Sequence, residues 1–267
     1  MLRALIPLCC SAFALVPEAS LSQIPDNVAS VEVLPGWRGE DGIHRGALAI
    51  QLAPGWKTYW RAAGEGGIPP SFDWSGSENL EGLEIHFPVP EVFDQNGMRS
   101  YGYDSQVVLP FRARPGTADG DITLTGSIEI GVCLDVCIPV TLDIKDLLPP
   151  DSAVARAEIQ AAFDDRPMSA REAGIQEMTC RVEPISDGLR VSAQIDMGSV
   201  SGAFAAVMEL PDRTIWISEA NVTQQGPRLV ATAEMVPQTA APFFLARETL
   251  RLTLLGAGEA IELTGCS

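Results

Sequence analysis

Positive charge is scarce in this chain. Lysine and arginine together number 18 against 35 aspartates and glutamates, leaving a formal net charge of -17 over 267 residues. No basic stripe exists to neutralise phosphates, so nucleic acid is excluded as a partner, and so is attraction to an anionic lipid surface. The charge favours solubility and carries no information about fold. Histidine is scarcer still: His44 and His86 are the only two, and neither is near a cysteine in sequence. Two thiolates alone make an incomplete zinc site. The glycines lack phosphate-loop spacing, which leaves a nucleotide site and any other resident cofactor without support. In the C-terminal half no acid pair, Ser/His set or metal cluster stands out. Beyond the first 22 residues no apolar run reaches the ~18 residues of a membrane-spanning helix.

The chain is 46% hydrophobic and long enough for two ordinary domains. Residues 1–22 read as a secretory leader, with Arg3 as the charged start, Leu5 to Val16 as the apolar stretch and Ser20-Leu21-Ser22 as small residues for cleavage. The mature chain is expected to be exported and soluble, with no membrane span, in a compartment where disulfides persist.

Short strands separated by turn residues dominate the rest. Asn27 to Leu34, Gly46 to Leu52, Glu84 to Pro90 and Gln106 to Phe111 read as strands, and Asp121 to Ile144 as a hairpin. Trp56, Tyr59, Trp60 and Trp74 are expected to fill a sandwich core and its edge. Phe93 to Asp104 reads as a polar loop. Asp151 or Ser152 can cap a helix running to about Phe163, followed by a polar connector from Arg166 to Ile175. Seven further strands lie between Thr179 and Leu263, with Trp216 as their expected core aromatic. Asn221-Val222-Thr223 matches a glycosylation acceptor, a pattern short enough to arise by chance. The fold class is all-β: two antiparallel β-sandwiches, over residues 23–150 and 176–267, joined by a helical linker over 151–175.

Six cysteines are present, and Cys9 and Cys10 fall in the leader. The remaining four allow three pairings, of which the natural one joins Cys133 to Cys137 and Cys180 to Cys266. In the chain-entropy model the longer bridge, closing about 87 residues, stabilises by roughly 4.6 kcal/mol, as a structural disulfide should; the shorter contributes roughly 2 kcal/mol. From Ile122 to Val132 and from Ile138 to Ile144 the even positions are apolar or glycine, which places Cys133 and Cys137 on the odd, polar face. A three-residue loop, Leu134-Asp135-Val136, would set them opposite each other, roughly 4.5–5.5 Å apart at Cα and within reach of a disulfide. The residues alone leave open a staple that stiffens a hairpin, a redox-active pair, or a cuprous ion held by two thiolates. No lysine, arginine or histidine lies beside the pair in sequence and Asp135 does, which points to a passive carrier rather than a strong oxidant.

Several segments together carry a resemblance: Trp56-Lys57-Thr58-Tyr59-Trp60-Arg61, Gly64-Glu65-Gly66-Gly67-Ile68-Pro69-Pro70, Trp74 with Ser77-Glu78-Asn79, Phe87-Pro88-Val89-Pro90, Tyr101-Gly102-Tyr103 leading into Val107-Val108-Leu109-Pro110, and Cys133-Leu134-Asp135-Val136-Cys137-Ile138-Pro139. In this order they resemble the periplasmic N-terminal region of the thiol:disulfide interchange protein DsbD, closest to its ScsB-type branch, which is linked to copper tolerance. The resemblance spans roughly residues 28–145. It implies an immunoglobulin-like periplasmic domain whose pair Cys133 and Cys137 passes electrons from a thioredoxin-like or membrane-embedded donor to oxidised periplasmic proteins. It also implies a cap loop at Tyr101, Gly102 and Tyr103, with Tyr101 as the shield over the sulfurs. Ser100 stands where DsbD has a larger aromatic, and the cysteine spacing is shorter than in DsbD. The membrane and thioredoxin-like parts of DsbD have no counterpart in these residues, so a separate protein is expected to supply electrons. The alternative is a non-catalytic module that binds a partner protein or a cuprous ion.

Overall fold

The computed structural model describes residues 28–95, 97–198, 205–239, 243–256 and 259–267. The expected leader, with Cys9 and Cys10, lies outside the described residues. Period-2 alternation builds strands through more than half of them. The first ten are β1 (Ala29–Arg38), β2 (His44–Leu52), β3 (Lys57–Gly64), β4 (Ser71–Asp73), β5 (Leu80–Ile85), β6 (Glu91–Gln95), β7 (Met98–Asp104), β8 (Gln106–Pro115), β9 (Ile122–Cys133) and β10 (Cys137–Leu148). They form two sheets, β1-β2-β8-β5 and β10-β9-β3-β7-β6, with β4 added to β9. The inward residues of both sheets close one core around the fully buried Leu48, Trp60, Phe111, Ile122, Leu124 and Ile128.

Helix α1 (Arg156–Asp164) follows. Then come β11 (Met168–Ser169), β12 (Met178–Pro184), β13 (Leu189–Asp196), β14 (Ala205–Glu209), β15 (Ile215–Ile217), β16 (Asn221–Gln225), β17 (Arg228–Pro237), β18 (Arg251–Leu255) and β19 (Ala260–Thr264). Their sheets are β11-β19-β18-β14 and β12-β13-β17-β15, with β16 added to β17. Val191, Ile195, Leu229, Met235, Leu252 and Leu254 lie at the centre of this second core. Among the described residues every strand pair is antiparallel except β11 with β19. The fold is all-β and immunoglobulin-like, as expected.

Several local expectations give way to tertiary packing. Helix α1 starts at Arg156 after Ala155, which is left-handed at φ 57° and offers no side-chain cap, so Asp151 and Ser152 do not start it. The helix is held by what it covers: Ile159 is fully buried against Leu34, Trp37 and Ala47 on the outer face of β1 and β2. The connector from Arg166 to Ile175 contributes β11 and the buried Ile175 to the second sandwich. The loop expected over Phe93 to Asp104 is the β6–β7 hairpin, in which Ser100, Tyr101, Gly102 and Tyr103 are all buried. Trp216 is 53% exposed, because alternation along β15 turns Ile215 inward and the tryptophan out. Asn221-Val222-Thr223 lies in β16.

The two sandwiches touch through β3. Ala205, Val207, Leu255 and Ala260 pack onto the first core. Beside them Arg61 donates to both carboxylate oxygens of Glu209 at 3.0 Å, to Glu262 at 2.6 Å and to Thr253 at 3.4 Å. Its guanidinium lies over the Trp60 ring, 4.1 Å from the centroid.

Candidate functional site: a disulfide under a tyrosine

The β9–β10 hairpin places Cys133 directly opposite Cys137, with an exposed three-residue loop between them. The two are joined in a disulfide, and their Cα atoms lie 4.1 Å apart. The even residues of β9 fill the core, so both sulfurs emerge on the far face of the sheet. The two cysteines differ sharply in access. Cys133 is 1% exposed, whereas Cys137 is open to solvent.

What buries Cys133 is Tyr59. Lys57 pairs with Cys133 across β3 and β9, and alternation brings Tyr59 onto the same face two residues later, opposite to Trp60. The Tyr59 hydroxyl lies 2.6 Å from Cys133 Sγ, 3.1 Å from Cys137 Sγ and 3.3 Å from the Gly66 carbonyl oxygen. Gly131 and Gly67 leave the room the ring occupies: a Cβ on Gly131 would stand 3.2 Å from Tyr59 Cδ2, and one on Gly67 2.7 Å from its Cδ1. Tyr59, Ala63 and Cys133 form an apolar cluster of their own, separate from the sandwich core. Burial holds the Tyr59 hydroxyl above its ordinary pKa, so it stays protonated and able to donate.

The residues expected to form a cap are placed otherwise than the resemblance implies. Tyr101 and Tyr103 face the sandwich core, where Tyr103 donates to the Pro88 carbonyl at 2.8 Å. Gly102 lies across from Tyr59 in the β3–β7 ladder. The aromatic on the sulfurs is Tyr59, one of the four aromatics expected to fill the sandwich core and its edge. The signal was present in Lys57-Thr58-Tyr59-Trp60-Arg61, where alternation puts Tyr59 with the two cations and against Trp60. The basic neighbour missing from the local sequence is also supplied by the fold. Lys57, cross-strand from Cys133, is 7% exposed, its Nζ is 4.7 Å from the Phe93 ring centroid, and burial lowers its pKa.

Exposed apolar side chains ring the open sulfur. Leu134 and Val136 flank it on the hairpin loop, and Ile68 and Met98 border the Gly66–Gly67 side. The second pair, Cys180 and Cys266, is also a disulfide, joining β12 to the segment after β19. Ser267 and β12 exchange backbone hydrogen bonds alongside it, consistent with a structural tie. Among the described residues no three His, Cys, Asp or Glu side chains gather into a metal-binding group, and no helix is long and apolar enough to cross a membrane.

No curated protein matches the chain at a significant level. Among solved structures, the N-terminal periplasmic domain of ScsB from Proteus mirabilis shares its fold, with a TM-score of 0.66 at 24% identity over 91% of this chain and 94% of that one. Residues 29–149 match the family model of the N-terminal part of the thiol:disulfide interchange protein DsbD, the stretch that builds the first sandwich and both redox-candidate sulfurs. The resemblance read from the motifs is thus borne out: residues 29–149 are similar to the DsbD N-terminal family.

Proposed function

We propose that this chain is a periplasmic thiol–disulfide exchange protein. Its Cys133–Cys137 pair takes electrons from a thioredoxin-like or membrane-embedded donor and passes them to oxidised periplasmic proteins. The observation that carries this is the asymmetry of the pair: one sulfur open at an apolar rim, the other sealed beneath it. A bridge serving only to stiffen the hairpin has no need of a dedicated cover over one sulfur. The donor's thiolate attacks Cys137 Sγ, the new intermolecular S–S bond forms as the Cys133–Cys137 bond breaks, and the electron pair leaves on Cys133. The donor's second thiolate then attacks its own sulfur and releases Cys137, completing a two-electron transfer. Toward a client the steps run in reverse: the Cys137 thiolate attacks the client disulfide and Cys133 resolves the mixed species.

The test is a pair of single-cysteine variants mixed with an oxidised or activated thioredoxin-like protein. Cys133→Ser, which leaves the open sulfur, should accumulate a mixed disulfide. Cys137→Ser should accumulate at least tenfold less. Trapping in neither variant, together with failure of any thioredoxin-like protein to reduce the wild-type bridge, would remove the exchange reading and leave a structural disulfide.

A further inference from the structure

The buried sulfur must carry a negative charge for the exchange to proceed, and its surroundings oppose that. Cys133 is 1% exposed, so water cannot solvate a thiolate there. The ionisable groups on the elements around it are Lys57 and Arg61 on β3, Glu65 in the loop after β3, Glu91 and Asp94 on β6, Arg99 and Asp104 on β7, Glu129 on β9, Asp135 in the hairpin loop, and Asp143, Lys145 and Asp146 on β10. Carboxylates outnumber cations among them, Arg61 and Arg99 are taken up by Glu209, Glu262 and Glu219, and the Lys57 ammonium lies against the Phe93 ring. Yet one donor touches the sulfur. The Tyr59 hydroxyl has a single proton and three acceptors in reach: the Gly66 carbonyl and the two sulfurs. In the disulfide the sulfurs are weak acceptors. Once the bridge opens, the Cys133 thiolate becomes the strongest of the three.

We infer that Tyr59 is a third catalytic residue, whose hydroxyl donates a hydrogen bond to the thiolate that leaves on Cys133 when Cys137 is attacked. This rests on the exchange reading for its purpose, and it adds a direction to the chemistry. The cleavage that puts charge on Cys133 is stabilised by a preplaced donor, while charge on Cys137 is left to water. Tyr59 thereby acts both as the cover of the pair and as the group that makes the covered sulfur a competent leaving group.

The experiment needs no partner protein, so its outcome is separable from the trapping test. In the Cys137→Ser chain, alkylation of Cys133 by a small neutral reagent is followed against pH and read at that residue by mass spectrometry. Adding Tyr59→Phe keeps the ring and removes the donor. A hydrogen bond to a charged group of ordinary strength predicts a midpoint about one to two pH units higher, and so about ten- to a hundredfold less thiolate at neutral pH. A purely covering role would change the rate at every pH and leave the midpoint in place. 3-Fluorotyrosine at position 59, a stronger donor of nearly the same shape, should move the midpoint down, and it serves as the readout if Tyr59→Phe does not fold. An unchanged midpoint, or a shift opposite in sign, overturns the inference.

Discussion

Replacing Arg61 by methionine should uncouple the two sandwiches. The Arg61 side chain is 14% exposed and its partners Glu209 and Glu262 are 17% and 28% exposed, so all three charges lie mostly out of water. Methionine keeps much of the apolar stem against Trp60 but leaves two carboxylates facing each other. Removing one partner of a fully buried pair costs about 3–5 kcal/mol. Residual solvent screens part of that here, and Glu262 keeps Arg251 at 3.7 Å. We therefore expect a loss of about 2–3 kcal/mol. The assay is urea unfolding of the full chain followed by tryptophan fluorescence, because Trp60 is buried in the first core and Trp216 sits on the second. The variant should unfold at lower urea, with Trp216 and the four tryptophans of the first sandwich, Trp37, Trp56, Trp60 and Trp74, reporting less coincident transitions. Adding Glu209→Gln and Glu262→Gln should recover most of the loss, since the penalty lies in the orphaned carboxylates rather than in the missing cation. A loss within 0.5 kcal/mol, or a triple variant no more stable than the single one, would refute the reasoning.

Other expectations follow from single sites. Replacing Cys180 and Cys266 by alanine should cost up to about 4.6 kcal/mol, whereas opening the Cys133–Cys137 bridge should cost roughly 2 kcal/mol or less; calorimetry showing equal losses would contradict the division into structural tie and working pair. Trp60→Ala should cost about 3–5 kcal/mol and Trp216→Ala stay within about 0.5 kcal/mol, measured by denaturant midpoints. His44 is buried, its Nε2–H donates to the Pro35 carbonyl at 2.5 Å, and its Nδ1 has no partner. Burial pushes its pKa below the ordinary 6.5 against a smaller upward pull from the Pro35 bond, and the nearby Arg38 charge adds a lesser push down. The unfolded chain then binds the proton first, so the stability His44 contributes is present above pH 6.5 and falls as pH drops below it. His44→Gln should flatten that slope in stability-versus-pH curves. His86, lowered for the same main reason, retains a share of it.

Sequence alone determined the alternation that makes this chain all-β, the pairing register of the hairpin, and the face on which its two cysteines lie. Those are local properties: side chains of a strand point alternately to opposite faces, and a three-residue loop sets which residues meet. The ordered motifs also carried the family. Whether the far side of β9 is open or covered was not local. Tyr59 lies 74 residues before Cys133 in the chain and reaches it only because β3 enters the sheet beside β9. The same ladder supplies Lys57, and the contact with the second sandwich at Arg61 depends on residues 148 to 201 positions away. Tertiary structure alone decided that Tyr101 turns inward, that α1 is held by the sheet it covers, and that the two chemically identical sulfurs are unequal. A sulfur's exposure, its donors and its stability as a thiolate are set by what packs across from it, and strand order, unlike strand periodicity, is not written in any short stretch of sequence.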